Sequence, residues 1–219
     1  GIIMSSFVDT NVPISFCFLL EPFNNKSNVI FNEYSEIFFS KRVENEFKRK
    51  FKDKENFFRR IFTDFKDYLD SSDVFELNEN DLKDYVNQLD VDKNQLNSYK
   101  VALTRFWDYY INNKFPRRLE VISAIDDFLT DFSIWSHMRR EHLLNCIVLT
   151  PQRKDKYETI KQELGNLGVH YPDDEIILDA HDYNINNGNI LDFITFDNAW
   201  YNGVKNIKTF SFNNVNNHT

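Results

Sequence analysis

The chain has 219 residues, with 34 acidic side chains against 26 Lys and Arg, a formal charge of −8 at pH 7, and 22 Phe. That length suits one domain, or one domain with a large insert, and 42% hydrophobic with 16% aromatic residues excludes an intrinsically disordered chain. The most apolar stretch, Pro13 to Leu20, is too short to span a bilayer. No cationic n-region or small-residue cleavage site stands near the start, so a cytoplasmic protein without a secretory leader or membrane span is expected. Cys17 and Cys146 sit in apolar runs, which leaves no disulfide framework and no cysteine-based zinc site. The acidic balance argues against a protein that coats nucleic acid unspecifically.

Gly1 to Ile3 precede Met4 and read as an expression scar. Ser5 to Thr10 (SSFVDT) reads as a buried strand that delivers Asp9 at its C-terminal end. Pro13 suits the first position of a short helix to Leu20, which Glu21-Pro22 stops. FNNKSN follows as an Asn-rich loop, and Glu36 to Phe39 as a second strand. Ser40 caps a long helix with apolar residues at Val43, Phe47, Phe51, Phe58, Ile61, Phe62, Phe65 and Leu69, ended by Ser71 and Ser72. Asp92 caps a helix reading Leu96, Tyr99, Val101, Leu103, Phe106, Trp107 and Tyr110. Pro116 opens another, with Leu119, Ile122, Ile125, Leu129 and Phe132 on one face. Leu143 to Leu149 is a candidate strand, and Thr150-Pro151 a helix start that leads through Tyr157, Ile160 and Leu164 to Gly165 or Gly168. Asp173 to Tyr183 reads as helix, Phe193 to Phe196 and Ile207 to Phe212 as strands, and NNVNNHT as a frayed tail. Alternating strands and helices at both ends of a helical block predict an α/β fold with a parallel sheet and an inserted helical subdomain.

Carboxylates stand where the secondary structure changes. Asp9 and Asp197 end strands, Glu46 lies in the first turns of the long helix, and Asp173 opens a helix. In a parallel α/β sheet, ligands collect beyond the carboxyl ends of the strands, so Asp9 and Asp197 face one crevice. Clustered carboxylates repel, and a divalent cation relieves that repulsion; oxygen donors select Mg²⁺ or Mn²⁺. Such ions suit attack of water on a phosphodiester.

FVDTNV near the start, Ser-x-x-Val-x-x-Glu in Ser40–Glu46, Asp-x-x-Ile-x-Leu-x-Ala in Asp173–Ala180 and ITFD ending at Asp197 together resemble the signatures of PIN-domain nucleases, in order and position. The resemblance covers roughly residues 5–50 and 145–212. It implies a three-layer sandwich on a parallel five-stranded sheet, spanning residues 4–212 with about 52–140 as a helical insertion and 213–219 as a flexible tail. It implies a Mg²⁺- or Mn²⁺-dependent endoribonuclease acting on single-stranded RNA. Asp9, Glu46, Asp173 and Asp197 would then be the metal-binding, catalytic acids, with Asn11 and Thr195 as polar supports. Asp174 is the alternative third acid, although Asp173 places Ile176, Leu178 and Ala180 better. Compact members pair with a small antitoxin protein, so a protein partner and a homodimer are further expectations.

Each acid also has a plainer role. Asp9 suits a helix N-cap, Glu46 an i,i+4 pair with Lys50, Asp173 and Asp174 the start of a helix, and Asp197-Asn198 a turn. Between Lys41 and Arg60 nine basic residues stand against four acidic ones. They form either a solvated face or a phosphate-steering stripe in which Lys41, Arg42, Lys48 and Arg49 bind substrate. Arg117–Arg118 and Arg139–Arg140 are weaker stripes of the same kind. The Phe spacing reads as core, not as a base-stacking platform. Asp90–Gln95 fails as a calcium loop, and His137 with His142 fails as a zinc pair. A phosphatase of the haloacid-dehalogenase type, with Asp9 as nucleophile and Asp174 and Asp179 on the metal, would need an acid where Asn11 stands. A non-catalytic PIN-like scaffold that binds a protein or RNA is the remaining alternative.

Overall fold

The computed structural model describes residues 3–188, 190–207, 210, 212 and 214–217, the last four by their backbone alone. Gly1 and Ile2 of the expected expression scar lie outside them. The chain is mixed α/β and mostly helical around a small parallel sheet. Strands β1 (Ser5–Val8), β2 (Glu36–Phe39), β3 (Ile147–Leu149) and β4 (Leu191–Thr195) lie in the order β3-β2-β1-β4. Asn214–Asn217, β5, continues the sheet beside β4. Every residue of β1 is buried, as a central strand covered on both faces requires.

The helices between them are α1 (Asn11–Cys17), α2 (Asn24–Glu33), α3 (Lys41–Asp70), α4 (Glu79–Asn87), α5 (Lys93–Tyr110), α6 (Arg118–Cys146), α7 (Glu158–Asn166), α8 (Asp173–Asn186) and α9 (Asn198–Asn206). Two compact units result. One holds residues 1–17, 23–51 and 139–219 with the sheet; the other holds 18–22 and 52–138 and is helical. The chain passes from one to the other within α3 and again within α6.

In the sheet unit, α3 buries Val43, Phe47 and Phe51, an i, i+4, i+8 stripe, and so turns Arg42, Glu46 and Arg49 the other way. The helical unit packs Phe62 between Phe106 and Phe128, with ring centroids 5.0 and 4.3 Å apart. It also has an apolar pocket of about 300 Å³, in which Asp131 is the charged lining residue. The Phe stripe is therefore core.

Several local expectations need correction. Asn24 does not open a loop: its buried side chain donates to the Ser15 carbonyl oxygen at 2.8 Å, and Ser27 Oγ donates to that of Val12 at 2.9 Å, tying α2 to α1. Strand 143–149 shrinks to Ile147–Leu149, because α6 continues to Cys146. On α6 the buried stripe is Val121, Ala124, Ile125, Phe128 and Phe132, while Leu119 is exposed. Thr150-Pro151 opens no helix: the Thr150 N–H extends the sheet by donating to the Phe39 carbonyl oxygen at 3.0 Å, and α7 begins at Glu158. The expected strand 207–212 falls partly on residues outside the described ones, and Ile207 instead ends α9. The expected tail supplies β5, whose ladder pairs Asp192 with Asn214 and Thr195 with Asn217.

Gly203 sets how closely α9 lies against the turn after α7, since a Cβ there would come within 2.8 Å of Val169 Cγ2. Gly203→Ala is expected to lower stability by about 1 kcal/mol or more, overpacking outweighing the gain in helix propensity. In chemical denaturation, Gly203→Ala with Val169→Ala should lose less than the two single changes together.

Candidate functional site

Strands β1 and β4 are where the sheet changes direction: β2 and β3 extend it one way from β1, and β4 lies on the other side. Crevices at such a switch point, beyond the carboxyl ends of the strands, are where ligands bind. Asp9 follows β1 there. Its backbone N–H donates to the Ile194 carbonyl oxygen at 3.0 Å, and the residue is 2% exposed. The Thr10 N–H donates to Asp9 Oδ1 at 2.6 Å, and Thr195 Oγ1 donates to Oδ2 at 3.0 Å. The same Thr195 oxygen accepts from the Asp197 N–H at 3.0 Å, so one hydroxyl ties the ends of β1 and β4 together. Asp197 Oδ1 caps α9 by accepting from the N–H groups of Ala199 and Trp200 at 2.8 and 3.3 Å. Asp173, at the start of α8, accepts from Trp200 Nε1 at 2.6 Å. Glu46 pairs with Lys50 one turn along α3, at 2.7 Å.

These groups act on one another. Burial pushes the Asp9 carboxyl up to about 7, helped by the negative charge of Glu46 and opposed by Thr195, Thr10 and Lys50. Burial likewise raises Asp173. The Trp200 hydrogen bond counters that shift, and Glu46 and Asp197 add to it. Glu46 thus acts on both Asp9 and Asp173, and Asp197 on Asp173, the four acids coming from the ends of β1 and β4 and from α3 and α8. Asp174 accepts from the Glu175 N–H at 2.7 Å, which leaves Asp173 as the acid coupled to Glu46.

A divalent cation fits this donor set in two respects. All the donors are hard oxygens, and Glu46 Oε2 is buried with no hydrogen-bond partner among the described residues. The geometry is nevertheless not that of a formed metal centre. Among the described residues no group of three or more His, Cys, Asp or Glu side chains is placed to hold a metal ion. Each acid has local partners instead: Thr10 and Thr195 for Asp9, Lys50 for Glu46, Trp200 for Asp173, and the first turn of α9 for Asp197. The plainer role read for Glu46 is therefore real, Asp197 caps a helix where a turn was expected, and the ammonium of Lys50 supplies positive charge to both Asp9 and Asp173.

Glu46 also lines a groove of about 1020 Å³ with Lys41, Arg42, Arg49, Arg153, Asp179, Ser40 and Thr150. Ser40 and Thr150 directly follow β2 and β3, so the groove opens at the carboxyl ends of those strands. Of the expected phosphate-binding residues, Lys41, Arg42 and Arg49 line it. Lys48 holds Glu44 at 3.0 Å, which Lys41 also reaches. Asn11, two residues past Asp9, opens α1 and makes no side-chain hydrogen bond among the described residues. Arg118 donates to the Leu69 and Ser72 carbonyl oxygens and Arg139 to that of Phe16, so these serve structure. Asp179, a metal ligand in the phosphatase alternative, faces Arg42 and Arg153 at 3.6 and 3.7 Å. Lys50 follows from its i,i+4 spacing to Glu46, whereas the sequence motifs mark neither Thr150 nor Arg153 as part of a site. The basic residues Arg153, Lys154 and Lys156 are the one visible signal of that segment.

No protein-family model, no curated protein and no solved structure matches the chain. No helix among the described residues is long and apolar enough to cross a membrane.

The Asp9 shift fixes a sign for stability against pH. The folded state holds the Asp9 proton more tightly than the unfolded state, so Asp9 favours folding most below about pH 4, and that contribution is lost as pH rises to about 7. In urea titrations the stability of Asp9→Asn relative to wild type should therefore rise steadily from pH 4 to pH 7 and level off above. A flat difference across that range would show the carboxyl to be hydrated.

Proposed function

We propose that the chain is a Mg²⁺- or Mn²⁺-dependent endoribonuclease of PIN-domain type, a three-layer sandwich on a five-stranded sheet, acting on single-stranded RNA in the cytoplasm. What carries this reading is the coupling of Glu46 to both Asp9 and Asp173, and of Asp197 to Asp173, near the switch point of a parallel sheet and beside a groove with more basic than acidic residues in an acidic chain. The order of the sequence signatures supports it independently.

In this reading Asp9, Glu46, Asp173 and Asp197 hold the cation, and Glu46 Oε2 offers it a buried oxygen without a hydrogen-bond partner among the described residues. When bound, the ion supplies Lewis acidity at the phosphodiester and a more acidic water. Thr195 fixes the spacing of Asp9 and Asp197 through its single hydroxyl. Lys50 holds Glu46 against repulsion by the other acids and must release it when a cation enters. Lys41, Arg42 and Arg49 draw the phosphate backbone along the groove.

A second reading, a scaffold that binds another protein, is favoured by the helical unit. It carries 12 basic against 18 acidic residues, a net −6 of the total −8. Ile134 and Met138 at its apolar pocket are exposed. Such a partner, an antitoxin-like protein or a second copy, is compatible with nuclease activity in the other unit.

The test is cleavage of end-labelled single-stranded RNA with Mn²⁺. Wild type should cut internally and stop on chelation. Asp9→Asn should lose about two orders of magnitude in rate, as expected when several kcal/mol of charge stabilisation are removed. Inert wild type, or an equally active Asp9→Asn, sinks the assignment.

A further inference from the structure

We propose that the groove beyond β2 and β3 contains a phosphate anchor for the flanking strand, built from Arg42, Arg153 and Thr150, with Tyr171 stacking a base above it. The anchor deepens the nuclease reading and rests on it only for what lies next door.

Arg153 is the centre of the construction. Its side chain is 13% exposed, and its Nη2 donates to Glu175 Oε2. Its Nη1 lies 3.4 Å from the Glu175 carbonyl oxygen and 3.7 Å from Asp179. Arg42 approaches the same two carboxylates at 3.8 and 3.6 Å. Burial pushes Glu175 up, but its hydrogen bonds to Lys161 and Arg153 outweigh that and hold it below the usual range, so it stays charged as a clamp. The guanidinium groups are thus held by Glu175 behind the groove and by Asp179 on its wall, while each retains further N–H donors of the kind that bind phosphate.

Two buried polar groups lack hydrogen-bond partners among the described residues. Thr150 is 6% exposed, and its Oγ1 makes no hydrogen bond; Arg42 Nε makes none either, and faces Asp179 Oδ2 at 3.6 Å. Both residues line the groove. A buried hydroxyl left unpaired is unfavourable, and a phosphate oxygen would satisfy it. Tyr171 also lines the groove and is 74% exposed, a flat aromatic surface of the kind on which unpaired bases stack.

Position assigns the ligand. Asp9, Ser40 and Thr150 directly follow β1, β2 and β3, which are neighbours in the sheet. Two strand spacings place Thr150 about 10 Å from Asp9. A strand with its scissile phosphate at the acids would present a phosphate one or two nucleotides away to Arg42 and Arg153. The groove lining carries Lys41, Arg42, Arg49 and Arg153 against Glu46 and Asp179, a positive balance in a chain of charge −8.

The experiment is fluorescence anisotropy of a labelled single-stranded oligouridylate in EDTA, with cleavage in Mn²⁺ read in parallel. Wild type should bind the oligouridylate and ignore the same strand with a neutral methylphosphonate backbone. Arg42→Gln should weaken binding about tenfold and reduce the salt dependence by about one charge. Thr150→Val, which keeps the side-chain shape, should weaken it several-fold, and both should raise KM more than they lower kcat. Equal affinity for the neutral strand overturns the anchor, as do Arg42→Gln and Thr150→Val that bind and cut like wild type. Binding that follows the predicted pattern without any cleavage supports the anchor and removes the nuclease reading. Cleavage with no effect of either substitution does the reverse.

Discussion

An ionisable carboxyl group enclosed at the end of a central strand is the constraint around which the sheet unit is organised. Water would favour the charged form of Asp9, and burial opposes it strongly enough to push the group up to about 7. The neighbourhood answers with a backbone N–H from Thr10, the Thr195 hydroxyl and the field of Lys50. Each of these needs its own element in place. Thr195 needs β4 paired with β1 in the register that sets Val8 against Ile194. Lys50 needs α3 to run on beyond Ser40 with Val43, Phe47 and Phe51 turned into the core. A core that placed only apolar groups at this spot would be easier to stabilise.

The division of charge follows the division of the chain. The helical unit accounts for −6 of the −8, while the groove beside the acids carries four basic side chains against two acidic ones. Net charge alone would have set this protein apart from nucleic acid. Its distribution leaves a locally positive groove in the sheet unit and concentrates the negative charge in the helical unit. The carboxylates Glu175 and Asp179 also pair with Arg42 and Arg153, so part of the acidic count positions cations.

What was legible in the sequence is what local physics dictates. Strand β2 and the buried face of α3 followed from β-branched and aromatic spacing. The Asp92 cap of α5 followed from side-chain chemistry, with N–H groups of Asn94 and Gln95 donating at 2.9 and 3.0 Å. Helix α2 was not legible, because Asn24 and Ser27 read as loop formers until their long-range hydrogen bonds to α1 are seen. The boundary of α6 and β3 lies inside one apolar run, where no periodicity marks the change. Thr150-Pro151 has every local mark of a helix start, and sheet extension overrode it. In the site, the order of the acids was readable from Asp9, Glu46, Asp173 and Asp197. Thr150 and Arg153 were not, because their roles depend on which strand ends stand side by side.

The central claim is that the four acids together make a cation site once Lys50 releases Glu46. Anomalous diffraction from crystals of the protein soaked in Mn²⁺ tests it most directly. The account predicts a manganese peak coordinated by Asp9 with at least one of Glu46, Asp173 and Asp197, and Lys50 turned away from Glu46. Crystals that hold no manganese there, with Lys50 still on Glu46, would contradict it.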